Sequence, residues 1–191
     1  RATDLFPRSR DVIHTLAVSS SEASAAAVPA ISLVIPVYNE EESLPALLDA
    51  LDASVTSLPQ PVEAVLVDDG SRDRSFAILK DASATRPWLR VVRFRRNFGQ
   101  TAAIAAGIDH SRGAILVALD ADLQNDPKDI PRLLDALDKG YDVVSGWRRD
   151  RKDKAVTRRL PSVIANWLIG YVSGVRIHDY GCTLKAYRRW V

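Results

Sequence analysis

At 191 residues the chain is long enough for one compact domain with a sizeable core, and marginal for two. Its 47% hydrophobic and 26% charged residues exclude a disordered or fibrous protein. A formal net charge of +2 gives no whole-molecule field that would point to nucleic acid. Charge is concentrated locally: "WRRDRKDKAVTRR" (147–159) carries seven basic residues against two acidic, and "RVVRFRR" (90–96) carries four arginines. Such patches suit an anionic ligand or a solvated surface. The single cysteine, Cys182, excludes an internal disulfide and fits a reducing compartment. No run of 18 apolar residues and no signal-peptide pattern occurs in the sequence. A chain that lacks methionine, begins at Arg1 and stops at "YRRWV" reads as a piece of a longer protein.

Residues 1–30 show no sustained period, and "SSSEASAAAVPA" has the small-residue composition of a linker. They are expected to form a flexible arm, with one helical turn near "RDVIHTLAV". The folded domain is expected over 31–191. The apolar, β-branched "ISLVIPV" (31–37) predicts a buried strand, and leucines 44, 47, 48 and 51 predict an amphipathic helix over 42–58. A second strand follows at 62–68, then a helix over 71–84 with Ser71 as its cap. A third strand at 89–94 leads into a helix over 99–111, and a fourth strand is predicted at 114–120. The helix over 125–140 has Asp126 as cap, Pro127 at its first position and Gly140 as terminator. A fifth strand is predicted at 141–146. This alternation predicts a single α/β domain with a mainly parallel sheet flanked by helices.

In such sheets ligands bind beyond the carboxyl ends of the strands. The chemically loaded residues fall there: Pro36, Tyr38, Asn39 and Glu40; Asp68, Asp69, Gly70 and Ser71; Asp120, Asp122 and Gln124; Gly146, Arg148 and Arg149. Any one of these sets is as readily a turn or a cap, but four at one edge point to a site. Neither a G-x-G-x-x-G after the first strand nor a P-loop is present. Side-chain alternation would turn Asp120 and Asp122 one way and Ala121 the other. Two hard carboxylates on one side suit Mg²⁺ or Mn²⁺, which completes its shell with water and substrate phosphate.

"IPVYNEEESL", "VDDGSRDRS", "RNFGQTAAIAAGI", "LDADLQNDP" and "DYGCTLKAYRR" together resemble the family 2 glycosyltransferases with the GT-A fold. Within that family they are similar to the branch of dolichol-phosphate mannose synthases and bacterial polyprenyl-phosphate glycosyltransferases. The resemblance spans about residues 31–190. It implies transfer of a sugar from a nucleotide-diphospho-sugar to a polyprenyl phosphate, with inversion and a divalent metal. It implies that Pro36, Tyr38 and Glu40 line the base pocket, that Val67 flanks it, and that Asp69 contacts base or ribose. Asp120 and Asp122 would hold the metal, beside Ala121 and Gln124. Arg148, Arg158 and Ser162 would serve the acceptor phosphate and the leaving diphosphate, the two arginines and Asp122 being catalytic. Asp68 would brace its turn, and Asn97 and Gly99 would close the floor of the site, Asn97 either as a turn-former or as a ligand contact. The resemblance also implies membrane association with the catalytic domain on the cytoplasmic face, and transmembrane helices beyond this segment through which copies could associate.

A phosphomonoester acceptor is largely ionised near neutral pH, because its second pKa is about 6, so no strong general base is required. That agrees with histidines only at 14, 110 and 178, none beside the acids in sequence. The apolar stretch "VIANWLIGYVSGV" (163–175) is either a core helix or one lying on the membrane surface. Two rivals stand beside this reading. A processive polysaccharide synthase would carry Q-x-x-R-W, but Ala186 precedes Arg189 and Trp190 where the glutamine belongs. A catalytically silent nucleotide-sugar-binding module would not need the intact acid pair.

Overall fold

The run "ISLVIPV" is apolar at all positions but Ser32 and Pro36, too continuous for a strand with one wet face. It forms strand β2 (Ile31–Val37), with six of its seven residues buried. The computed structural model describes residues 13–14, 28–146 and 182–191, and in it β2 lies at the middle of a seven-stranded sheet. Parallel to it run β3 (Val62–Asp68) on one side and β5 (Ile115–Ala118) on the other, so that Ile31 faces both Val62 and Ile115. β4 (Leu89–Phe94) continues the parallel set beyond β3. The crossovers are helices α1 (Leu44–Ser57), α2 (Ser75–Ser83) and α3 (Gln100–His110).

Three strands joined by antiparallel pairings extend this parallel centre, giving the order β1-β4-β3-β2-β5-β7-β6, in which β1 and β7 run against the central strands and β6 runs with them. β7 (Lys185–Arg188) pairs with β5, and β6 (Val143–Ser145), the expected fifth strand, is an edge strand held by β7. The helical turn expected near residues 10–18 is not what Ile13 and His14 form. They pair as β1 with Phe94 and Arg93. The rest of the expected arm up to Ala27, and residues 147–181, lie outside the described residues. Among the described residues no helix is long and apolar enough to cross a membrane.

Helix α2 starts later than expected, at Ser75. Ser71 does not cap it, because its hydroxyl accepts the Asn39 N–H instead. Asp126 does cap, accepting the Lys128 N–H, but a 3₁₀ turn (Pro127–Asp129) comes before α4 (Ile130–Asp138). Leu44, Leu47 and Leu51 of α1 join Leu79 of α2 and Ile130 and Leu137 of α4 in the core on one sheet face. On the other face Ala103 and Ala106 of α3 pack against Val65, Val67 and Val92. The small residues of α3 let it approach closely. A Cβ on Gly107 would stand 2.4 Å from Val34 Cγ1.

One charge is buried at the foot of the sheet. Glu63 of β3, 2% exposed, accepts from the Ser32 hydroxyl (2.8 Å), the Arg112 backbone N–H and Arg112 Nε (3.0 Å). Arg90 adds an ion pair at 3.3 Å. Burial pushes the Glu63 carboxyl up, but the hydrogen bonds from Ser32 and Arg112 together outweigh it and hold the group below its ordinary value of 4.5. A carboxyl with a depressed folded value contributes stability that is fully present above its unfolded pKa. That stability is lost as pH falls through the folded value. Glu63→Gln is expected to lose about 2–4 kcal/mol near neutral pH, at the low end for removing one partner of a buried pair because the arginines are partly in water. Its urea midpoint should also fall less than that of wild type on acidification from about pH 6 to about pH 3.

Candidate active site

Strand order reverses at β2, where the chain first adds β3 and β4 on one side and then β5 on the other. Such a reversal opens a crevice at the carboxyl ends of the strands. It is widened here because β5 stops at Ala118, opposite Val34, while β2 runs on to Val37. The result is a cleft of about 300 Å³. It brings together Pro36, Tyr38, Glu40, Asp69, Asn97, Gly99, Asp120, Ala121 and Asp122, all expected from the sequence, with Val37 and Gln100. A larger hollow of about 560 Å³ lies between α3 and β7 and has no carboxylate among its lining residues.

The floor is stitched together by backbone N–H groups. The loop after β2 bonds to the loop after β3 through Asn39 N to Ser71 Oγ (3.0 Å), Arg72 N to Asn39 Oδ1 (2.9 Å) and Glu40 N to Ser75 Oγ (2.8 Å). Asn39 takes a left-handed φ of 55°, a conformation asparagine tolerates better than most residues. Tyr38 is left 40% exposed at the cleft. Asp68 braces its own turn, Oδ1 accepting the Ser71 N–H at 3.1 Å. Asp69, 2% exposed, accepts Phe98 N–H on Oδ1 (2.7 Å) and Gly99 N–H on Oδ2 (2.9 Å). Gly70 must be glycine: its φ is +69°, and a Cβ would meet the Arg96 carbonyl carbon at 2.4 Å.

The acid pair stands on a turn, since β5 ends at Ala118 and not at Asp120. Ala121 is buried, 3% exposed, and the two aspartates line the cleft. Leu123, with φ 58°, turns the chain so that Gln124 N–H donates to Asp122 Oδ1 at 3.0 Å. Asp120 Oδ1 accepts from Gln100 Nε2 at 2.8 Å. Each carboxylate thus has one oxygen tethered, and no hydrogen bond or ion pair among the described residues engages either Oδ2. Among those residues no group of three His, Cys, Asp or Glu side chains could close around a metal. Two hard oxygen donors with the remaining positions open fit Mg²⁺ or Mn²⁺ sharing its shell with phosphate.

Two expected residues are not brought to the cleft. Val67 is fully buried beneath α3, because the pleat turns it toward Ala103 and Ala106. Gln124 contributes its backbone N–H to Asp122 and is not among the lining residues. Arg148, Arg158 and Ser162 lie outside the described residues. Gln100 went unnoticed in the sequence, although it opens a helix at a strand's carboxyl end, the same signal that marked the others. Ala186 is buried in β7, and Arg189 is bonded to Gly113 O and Ser111 Oγ, both at 2.6 Å.

A mainly parallel sheet with helices on both faces and a paired-carboxylate cleft at its switch point is the architecture of the GT-A fold. The chain belongs to glycosyl transferase family 2, whose model matches residues 32–190. It is 48% identical over 160 residues to a dodecaprenyl-phosphate galacturonate synthase of Rhizobium johnstonii, covering 83% of this chain and 47% of that one. It is 53% identical over 161 residues to an undecaprenyl-phosphate 4-deoxy-4-formamido-L-arabinose transferase of Pseudomonas paraeruginosa, with the same two coverages. The chain thus spans about half the length of the curated relatives it matches. The fold is shared with a Mycobacterium tuberculosis glucosyl-3-phosphoglycerate synthase solved with Mn²⁺, UDP-glucose and phosphoglyceric acid. That likeness has a TM-score of 0.66 at 20% identity and covers 85% of this chain and 57% of that one. A Pyrobaculum calidifontis mannosyltransferase solved with GDP-mannose and Mn²⁺ gives 0.58 at 22%, covering 85% and 45%.

Asp69→Ala would leave the Phe98 and Gly99 amides without their acceptor. It is expected to lose about 1.5–3 kcal/mol, the scale of a hydrogen bond to a charged group. Amide exchange at those two residues should speed up more than exchange in β3.

Proposed function

We propose that this domain transfers a glycosyl group from a nucleotide-diphospho-sugar to a polyprenyl phosphate, inverting the anomeric configuration. The observation that carries the reading is one cleft holding an exposed ring, Tyr38, beside the acid pair Asp120 and Asp122, with no cation of the described residues paired to either acid. The kinds of acceptor named for the relatives at 48% and 53% identity support the lipid-phosphate half.

Tyr38 offers its ring to the base, with Pro36 and Glu40 at its sides. Asp69 keeps lone pairs for base or ribose while its oxygens brace the 98–99 backbone. Asp120 and Asp122 would hold Mg²⁺ or Mn²⁺, which when bound neutralises the donor diphosphate and eases its departure. The acceptor phosphate is its own nucleophile, so the chain's task is to align it opposite the leaving group and balance its charge. Arg148, Arg158 and Ser162, in or just after the basic stretch that follows β6, are given that task by the resemblance to the family. A polyprenyl acceptor lies in a bilayer, so the domain would work at a membrane surface, on the cytoplasmic face.

Purified protein with a nucleotide-sugar panel, polyprenyl phosphate and Mg²⁺ or Mn²⁺ should yield glycosylated lipid. Asp122→Asn should cut this turnover by about a hundredfold or more, the order seen when one electrostatic group is removed from a reacting centre. Its melting temperature should stay within about 4 °C of wild type. Full turnover by Asp122→Asn in chelator-treated buffer would overturn the metal's role.

Tyr38→Ala should weaken nucleoside diphosphate binding by about 1–3 kcal/mol, the scale of base–aromatic stacking. Unchanged affinity by calorimetry would remove the ring from the base pocket.

A further inference from the structure

Gln100 opens α3 immediately after Gly99, whose φ of +94° ends the preceding loop. Its backbone is fixed from below, because Asp69 accepts the N–H groups of Phe98 and Gly99 directly before it. Its side chain reaches across the cleft from the β4–α3 loop to the β5 loop, Nε2 donating to Asp120 Oδ1 at 2.8 Å. No other hydrogen bond among the described residues restrains the Asp120 carboxylate.

The type of donor matters. Asp122 is oriented by a backbone amide of its own turn, whereas Asp120 depends on a side chain some twenty residues away in sequence, across the cleft. A lysine or arginine at that distance would orient Asp120 equally well, but its charge would compete with a cation for the same carboxylate. A neutral amide orients without competing. Neither arginine of the preceding loop, Arg95 or Arg96, lines the cleft, and the Arg96 guanidinium lies 4.4 Å from the Phe98 ring centroid.

We infer that Gln100 is a positioning residue for the cation site, holding one oxygen of Asp120 so that the other is presented to a divalent metal. This rests on the reading of Asp120 and Asp122 as metal ligands. Partners that orient metal ligands from behind typically contribute 10–100-fold in metal affinity. Gln100→Ala should therefore raise the Mn²⁺ dissociation constant by about 10–100-fold. Gln100→Asn, one methylene too short to reach Asp120, should do the same. Thr101→Ala, which removes the next side chain of the same exposed helical turn, should bind Mn²⁺ as wild type does.

Mn²⁺ binding to the full chain, read by electron paramagnetic resonance with UDP present as the probe diphosphate, is the test. Metal-free UDP affinity and melting temperature are measured on every variant. The inference holds if Asp122→Asn abolishes Mn²⁺ binding and both Gln100 variants weaken it while metal-free UDP affinity and melting stay at wild-type values. It is overturned, with the metal site intact, if Asp122→Asn abolishes binding and the Gln100 variants bind normally. It is overturned too if their loss is matched by Thr101→Ala or by a fall in melting temperature. If Asp122→Asn binds Mn²⁺ as tightly as wild type, or wild type binds none, the metal reading and the inference fail together.

Discussion

Glu63 sits at the foot of β3, and its two oxygens gather donors from β2 (Ser32), β4 (Arg90) and the turn leading into β5 (Arg112). Ser32 in turn accepts the Gly113 N–H at 2.8 Å, and Arg189, just beyond β7, holds the carbonyl of the same glycine. Five segments of chain are thereby fixed at one end of the sheet around a single charge. Register in a sheet is unforgiving, because a slip of one residue turns every side chain to the opposite face. Six residues above Glu63, about 20 Å along the strand, the same register delivers Asp69 beside Tyr38 and the acid pair. The site at the head of the sheet inherits its alignment from a polar cluster at the foot.

Above that alignment, local conformations do the fine placement. Asn39 and Leu123 are the described non-glycine residues with positive φ, and both stand in loops that bear cleft residues. For a leucine this backbone costs about 1–2 kcal/mol. In return, the turn at Leu123 folds the Gln124 amide back onto Asp122. Buried Asp69 supplies the corresponding restraint on the other wall.

The innermost strands β2 and β3 were legible because strands covered on both faces must be apolar almost throughout, and β4 because its apolar residues run close together around two arginines. Residues 31–37, 62–68 and 89–94 match the strands they predict residue for residue. β7 escaped notice: "KAYR" is four residues, half of them charged, without the length or alternation that would mark it. The helices α1 and α2 begin two and four residues later than periodicity suggests, because Asp73, Ser75 and Glu41 spend their groups tying the two loops together. Side-chain type placed the aspartates and Tyr38 at the correct edge. It could not tell that Val67 points into the core, since that depends on which face α3 covers. Nor could it reveal Glu63, which reads as a lone acid in an apolar strand until the arginines beside it in space are known.

The sheet's spatial order differs from its order of synthesis. β7 lies between β5 and β6, yet it is made after both, and its residue Lys185 follows its partner Ser145 by 40 positions in the chain. At about 5–20 residues per second, a ribosome takes roughly 2–8 s to traverse that interval. During it the growing chain carries β5 with one bare edge and β6 with no described neighbour, the kind of unpaired strand that invites pairing with the wrong partner. Residues 185–188 are therefore what joins β6 to β5, and a nascent chain cut short before them would leave both edges unpaired by β7.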